Sequence, residues 1–313
     1  MVVSIRSMQF ISEFRYPTRW YSKLIAALLA LCFFSMLAAG IIAGFVVYSI
    51  VTPSGSSEAI DLANFPGHPE DVSYSFENSG PRDGWFFPGL KSAPTILLCP
   101  GYRESRQELL PLATALQDHQ YNVFLFDFAG NGSSSGHSTL GFREVQELRA
   151  AISALAERSD LDRSRFGIWG TNVGSYAAVA LAESDPRVRA LVVESVYDRP
   201  EEMVLLLSSQ YGLAPLPLMR RFTEKGFIWL NYSNAETPPL SARISRLAGV
   251  PKLFIEASDE PQLAESTHRL FLLAPGPKDE ALLARGKYAG MLDEEKRQYE
   301  NRLVNFFLVN LAP

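Results

Sequence analysis

Gly170, Thr171, Asn172, Val173 and Gly174 follow the apolar run Phe166 to Trp169 without a break, and a helical stretch begins at about Ser175. A strand, a sharp turn and a helix in that order lift the central side chain above the sheet, and glycines two residues to either side let the backbone fold that tightly. A hydroxyl, thiol or carboxylate raised in this way can attack a carbonyl carbon. Here the raised group is a carboxamide, which has no proton whose removal leaves a useful nucleophile. Asn is still a sensible occupant, because it tolerates unusual backbone regions better than other non-glycine residues. Two readings of Asn172 stay open: it satisfies local hydrogen bonds, or it sits in a pocket that binds without turnover. Other reactive groups are sparse. The histidines are His68, His119, His137 and His268. Cys99 reads as a buried strand thiol rather than a nucleophile, and His268 as a surface residue. His137 and Ser134 lie in or beside the Gly130 to Gly136 loop, where they could reach a pocket rim. That loop lacks the lysine of a phosphate-binding GxxxxGK[ST] segment, and no cofactor or metal-ligand set is expected.

The elements that must position these residues alternate between short β-branched runs and amphipathic segments, the mark of a parallel sheet with crossover helices. The expected strands are Val72 to Phe76, Trp85 to Phe87, Thr95 to Cys99, Asn122 to Asp127, Phe166 to Trp169, Ala190 to Glu194, Lys252 to Glu256 and Glu280 to Leu283. Glu108 to His119, Gly141 to Arg158, Ser175 to Ser184 and Asp293 to Asn310 read as helices. The stretch at about 197–248 is too long for a crossover, and its Met203, Leu205 to Leu207, Leu213, Leu216, Phe227 and Trp229 suggest a small helical cap.

From Val72 to Leu311 the chain resembles the α/β-hydrolase superfamily. The Gly170–Gly174 segment matches its nucleophile elbow GxSxG, with Asn172 at the serine. Pro100, Gly101 and Tyr102 stand where the superfamily has its HG loop. Asp127 with Gly130, Gly132 and Ser134 is similar to its DxRGxGxS loop, with Ala129 in place of the arginine. Ser258 and Asp259 follow a strand where the acid of the triad belongs, and Lys287, Tyr288, Ala289 and Gly290 stand where a histidine is followed by small residues. The serine-aminopeptidase-like and dienelactone-hydrolase-like, membrane-anchored bacterial members look most similar. The resemblance implies an α/β-hydrolase fold: a mostly parallel eight-stranded sheet, helices on both faces and a small helical cap. It also implies a degenerate triad at Asn172, Asp259 and Tyr288, elbow glycines Gly170 and Gly174, and oxyanion-hole amides from Tyr102 and Val173. Tyr288, with a reference pKa of about 10, is a poor base at neutral pH. It could instead donate to Asp259 and preserve the triad as a structural clamp.

Composition agrees with one folded domain. The chain has 313 residues with 47% hydrophobic and 20% charged side chains, which argues against disorder. A net charge of −5 conceals an asymmetry: Arg6, Arg15, Arg19 and Lys23 against Glu13 give +3 before residue 24, leaving −8 on the remainder. An acidic domain gives no reason to expect nucleic-acid binding. Cys32 and Cys99 are not placed to form a disulfide. Residues 24–51 contain no charge over 28 positions, more than the roughly 20 that span a bilayer. A cleavable signal peptide is the rival reading, but its apolar core is only about 7–15 residues long. The expected organisation is a cytoplasmic segment 1–23, a transmembrane anchor 24–51, a flexible tether 52–70 and a hydrolase-like domain 71–313. Basic residues before the span and acidic ones after it put the N-terminus in the cytoplasm and the domain outside it.

These observations lead to three functional readings. The first is a membrane-anchored pseudo-hydrolase that binds a small molecule, lipid or peptide without serine-type turnover. The second is an active hydrolase of esters or peptides using unconventional groups such as Ser133, Ser134 or Ser175 with His137. The third is a structural or interaction module.

Overall fold

In a computed structural model of the chain, residues 20–53, 65, 67–76, 81–132, 134 and 136–313 are described. Eight strands form one sheet: β1 (Glu70–Ser75), β2 (Pro81–Phe87), β3 (Thr95–Cys99), β4 (Asn122–Phe126), β5 (Phe166–Thr171), β6 (Val188–Glu194), β7 (Lys252–Ala257) and β8 (Lys278–Leu283). Their spatial order is β1-β2-β4-β3-β5-β6-β7-β8. β1 and β2 pair antiparallel at one edge, and from β4 onward every neighbour is parallel. The central strands have continuous apolar sequences because a parallel sheet is covered on both faces. Every residue of β3, β4, β5 and β7 is buried, whereas the edge strand β8 is mostly not.

The period of two along β3 divides the core. Leu97 and Cys99 face a layer made by α3 (Phe142–Glu157), α4 (Val173–Ala182) and α7 (Pro261–Leu273). Ile96 and Leu98 face α2 (Leu110–Asp118) and α8 (Asp293–Asn310). The cap has two helices, α5 (Pro200–Ser208) and α6 (Pro217–Leu230), joined by a turn that reverses at Gly212 with φ of 77°.

The long apolar helix α1 (Trp20–Val51) has 32 residues and is long and apolar enough to cross a membrane. Hydropathy alone does not disclose how it ends. Its last turns are part of the domain core: Ala43, Val46, Val47, Ile50 and Val51 are buried. The Tyr102 hydroxyl donates to the Ile50 carbonyl at 2.8 Å, and the Ser138 N–H donates to the Val51 carbonyl at 2.8 Å. Pro53 packs against Gly130, where a Cβ would lie 3.2 Å from the proline Cδ. Of the tether expected over 52–70, Pro53 thus lies against the domain, and 54–64 and 66 are outside the described residues.

Candidate active site

β5 ends at Thr171 and α4 starts at Val173, so Asn172 alone makes the turn. Its φ of 34° and ψ of −96° are a strained combination for a side-chain-bearing residue. The flanking glycines are sterically required. A Cβ on Gly170 would lie 2.5 Å from the Gly174 carbonyl carbon, and one on Gly174 would lie 2.2 Å from the Cys99 carbonyl oxygen. The elbow can pack this closely against β3 only without side chains there.

The Asn172 side chain is turned inward and is 2% exposed. Its Oδ1 accepts two main-chain hydrogen bonds, from Tyr102 N–H at 2.7 Å and from Val173 N–H at 2.6 Å. The two amides singled out in the sequence therefore converge on one oxygen, and that oxygen belongs to the protein. Tyr102 and Val173 are themselves buried, and the ring of Tyr102 is held by the end of α1.

Asp259 and Tyr288 do not meet. Asp259 is exposed and accepts the Gly286 N–H at 2.8 Å. Tyr288 is buried, donates its hydroxyl to Glu300 on α8, and lies against Tyr299 with ring centroids 5.7 Å apart. The clamp expected between Tyr288 and Asp259 is thus corrected. Lys287, with φ of 58°, turns the chain so that the next side chain drops into the α8 layer. Burial first, then the adjoining Glu300, pushes the Tyr288 phenol far above its usual value.

Two carboxylates adjoin the elbow instead, the buried Glu194 and the half-buried Glu104. Glu194, at the end of β6, accepts the Lys287 N–H at 3.1 Å and the Tyr299 hydroxyl, which in turn accepts from Trp169 Nε1 at 2.7 Å. Glu104 accepts the Gly101 N–H at 2.7 Å, while its Oε1 is buried without a partner among the described residues. Desolvation raises Glu104 to about 8, with the nearby charge of Glu194 adding to it. Desolvation also raises Glu194 to about 7 against the hydrogen bonds that lower it. Sequence reasoning missed both, since a single Glu after a loop or strand reads as solvated; the apolar run of β6 leading directly into Glu194 was the available signal.

The remaining candidates are separated or already engaged. His137 is exposed, and Ser134 accepts from Arg82 at 2.6 Å. The Ser175 hydroxyl is spent on the Gly170 and Glu194 carbonyls at 2.6 and 2.8 Å. Ser133 lies outside the described residues. Among the described residues no serine hydroxyl bonds a histidine ring. Cys99 is fully buried, and burial holds its thiol well above the usual range. One cluster that the sequence did not reveal lies at the β7–β8 edge. There His268 Nδ1 sits 3.0 Å from Glu256 and 2.7 Å from Glu280, and the donor atoms of all three lie within 4.8 Å of one another. Hydrogen bonds to Glu280 and then Glu256 raise the imidazole pKa, and the trio satisfies itself as an ion-paired group.

An eight-stranded, mostly parallel sheet with a strand–turn–helix elbow at its centre defines the α/β-hydrolase fold, and the chain has that fold. The family model for the alpha/beta hydrolase fold matches residues 94–230. The uncharacterized protein YfhR of Escherichia coli O157:H7 is 23% identical over 258 residues, covering 79% of this chain and 84% of that protein. The uncharacterized protein Rv2307c of Mycobacterium tuberculosis is 36% identical over 130 residues, but this match spans only 45% of its length. Among solved structures, the Pyrococcus furiosus esterase Pf2001 superposes with a TM-score of 0.64 at 17% identity, covering 83% of this chain and all of that one. The α/β hydrolase GrgF of Penicillium sp. sh18 superposes with a TM-score of 0.59 at 18% identity, covering 78% and 99%. Identities this low carry the fold and not the activity.

Proposed function

We propose that this chain is a membrane-anchored pseudo-hydrolase, catalytically silent toward esters and peptides, whose domain works as an interaction module at the bilayer. The observation that carries this is the position of Asn172 Oδ1 on the Tyr102 and Val173 amides. In a working hydrolase those amides stabilise the oxyanion of the tetrahedral intermediate, and losing one such donor costs about 10²–10³ in rate. Here a neutral carboxamide occupies both, and among the described residues no imidazole is hydrogen-bonded to it to act as base. A ligand oxygen would have to displace Oδ1 and replace two hydrogen bonds worth roughly 0.5–1.5 kcal/mol each. This weakens the pocket-binding reading and favours the module. Anchoring is supported by the length of α1 and by the seating of its last turns in the core. Proteins of similar structure include esterases, so ester hydrolysis is the activity to exclude. The full chain in nanodiscs, offered a panel of p-nitrophenyl and peptide substrates, is expected to match the protein-free background, with Asn172→Ala indistinguishable from it. Turnover above background that resists Asn172→Ala would establish an unconventional hydrolase.

A further inference from the structure

We infer that α6 of the cap lies on the surface of the bilayer that α1 crosses, with Trp229, Leu230, Tyr232 and Leu218 seated among the lipid acyl–headgroup boundary and Arg221 and Lys225 on anionic headgroups. The inference rests on the anchor reading above and adds a second contact with the membrane. Aromatic residues mark the ends of α1: Trp20 and Tyr21 at one, Tyr48, 62% exposed, at the other. Trp20 and Tyr48 are 28 positions apart in number, about 42 Å at 1.5 Å per residue, which matches the 40–45 Å of a bilayer with its interfacial zones. Tyr and Trp concentrate at those zones. The domain grips α1 from Ala43 onward, on the side opposite Phe45 and Tyr48, so no spacer separates it from the membrane surface.

α6 meets α1 at that level. A Cβ on Gly226 would lie 3.4 Å from Val47 Cγ2, beside Tyr48 in sequence. Trp229 is three residues beyond Gly226 and therefore neighbours it on the helix surface. Thr223 and Phe227 point into the domain. Leu218, Arg221, Lys225 and Trp229 recur at helical spacing on the opposite, exposed face. Trp229 on α6 and Tyr232 just after it are each 79% exposed, large aromatic surfaces of the kind that concentrate at the membrane interface. Arg221 and Lys225 share this face with Leu218 and Trp229, an arrangement in which long basic side chains can lay their stems on apolar surface and hold their charges at the headgroups, and Lys and Arg near an anionic surface are attracted to it.

The test uses the full chain in nanodiscs of phosphatidylcholine with phosphatidylglycerol. In a Cys32→Ser background, nitroxide labels at Trp229→Cys, Phe33→Cys and Leu282→Cys are compared for collision with oxygen and with a water-soluble nickel chelate. Leu282, 70% exposed on β8, is the aqueous reference. The oxygen-to-nickel ratio at 229 is expected to be several-fold above that at 282, and to fall toward it when Arg221 and Lys225 are both changed to Glu. A ratio at 229 equal to that at 282 while Phe33→Cys reads as lipid-buried would overturn the docking and leave the anchor standing. An aqueous reading at 33 would overturn both. All labelled positions are exposed, so the variants fold as the parent does, and circular dichroism checks this.

Discussion

Replacing Asn172 by alanine removes the oxygen on which the Tyr102 and Val173 amides converge. Both donors are buried, and leaving each unpaired costs about 1–3 kcal/mol. Alanine at φ of 34° also loses the tolerance that asparagine has for this region, about 1 kcal/mol more. The sum is roughly 3–7 kcal/mol, falling to about half if water reaches the vacated site. Asn172→Gly loses the same hydrogen bonds but relieves the backbone, so it should exceed Asn172→Ala in stability by about 1 kcal/mol. Guanidinium unfolding of the full chain in detergent micelles, followed by near-ultraviolet circular dichroism, measures all three. Hydrogen exchange at the Tyr102 and Val173 amides should accelerate in both variants. If Asn172→Ala stays within about 0.5 kcal/mol of the parent, the range of an inconsequential surface change, the oxygen does not hold those amides and the reasoning fails. If glycine is the less stable of the two variants, the backbone is not strained there.

Other expectations follow from the same geometry. Glu104 and Glu194, raised to about 8 and about 7 from an ordinary 4.5, keep protons in the folded state that the unfolded chain has released. Their contribution is therefore fully present below about pH 4.5 and is lost as pH rises toward 8, by up to about 1.4 kcal/mol per pH unit for each carboxyl; Glu104→Gln should flatten the fall of Tm between pH 5 and 8, and an unchanged slope would assign that carboxyl an ordinary pKa. Ile50 is fully buried where α1 enters the domain, so Ile50→Ala should cost about 2–5 kcal/mol, and a loss below 1 kcal/mol by the same unfolding assay would show that α1 does not belong to the core. Gly174→Ala would drive a Cβ to 2.2 Å from the Cys99 carbonyl, so expression as folded protein should fail, and a monodisperse, cooperatively unfolding variant would contradict the packing. Asn172→Ser combined with Tyr288→His should remain inactive toward p-nitrophenyl esters, since position 288 faces Glu300 and not the elbow.

The fold was largely written in the chain because period and punctuation coincide. Thr95–Cys99 and Asp293–Asn310 form the expected elements with the same bounds, one a β-branched and aliphatic run closed by proline, the other opened by three acids. The ends of β2 and β8 extend beyond the expected runs because Arg82, Asp83, Lys278 and Asp279 pair through main-chain hydrogen bonds, which side-chain hydropathy does not report. The elbow was legible for a steric reason: glycine is the only residue that fits at 170 and 174. The direction of Tyr288 was not, since the positive φ at Lys287 redirects the following side chain and nothing in the residue types announces it. Nor was the docking of α1, as Val46, Val47 and Ile50 would look the same facing lipid or protein.

A catalytically silent domain holds no hydroxyl that is an activated nucleophile. Intact-mass analysis of the full chain after prolonged exposure to a fluorophosphonate should return the unmodified mass, alongside a complete adduct on an active esterase treated in parallel. A stoichiometric adduct that disappears when one serine is replaced would contradict it.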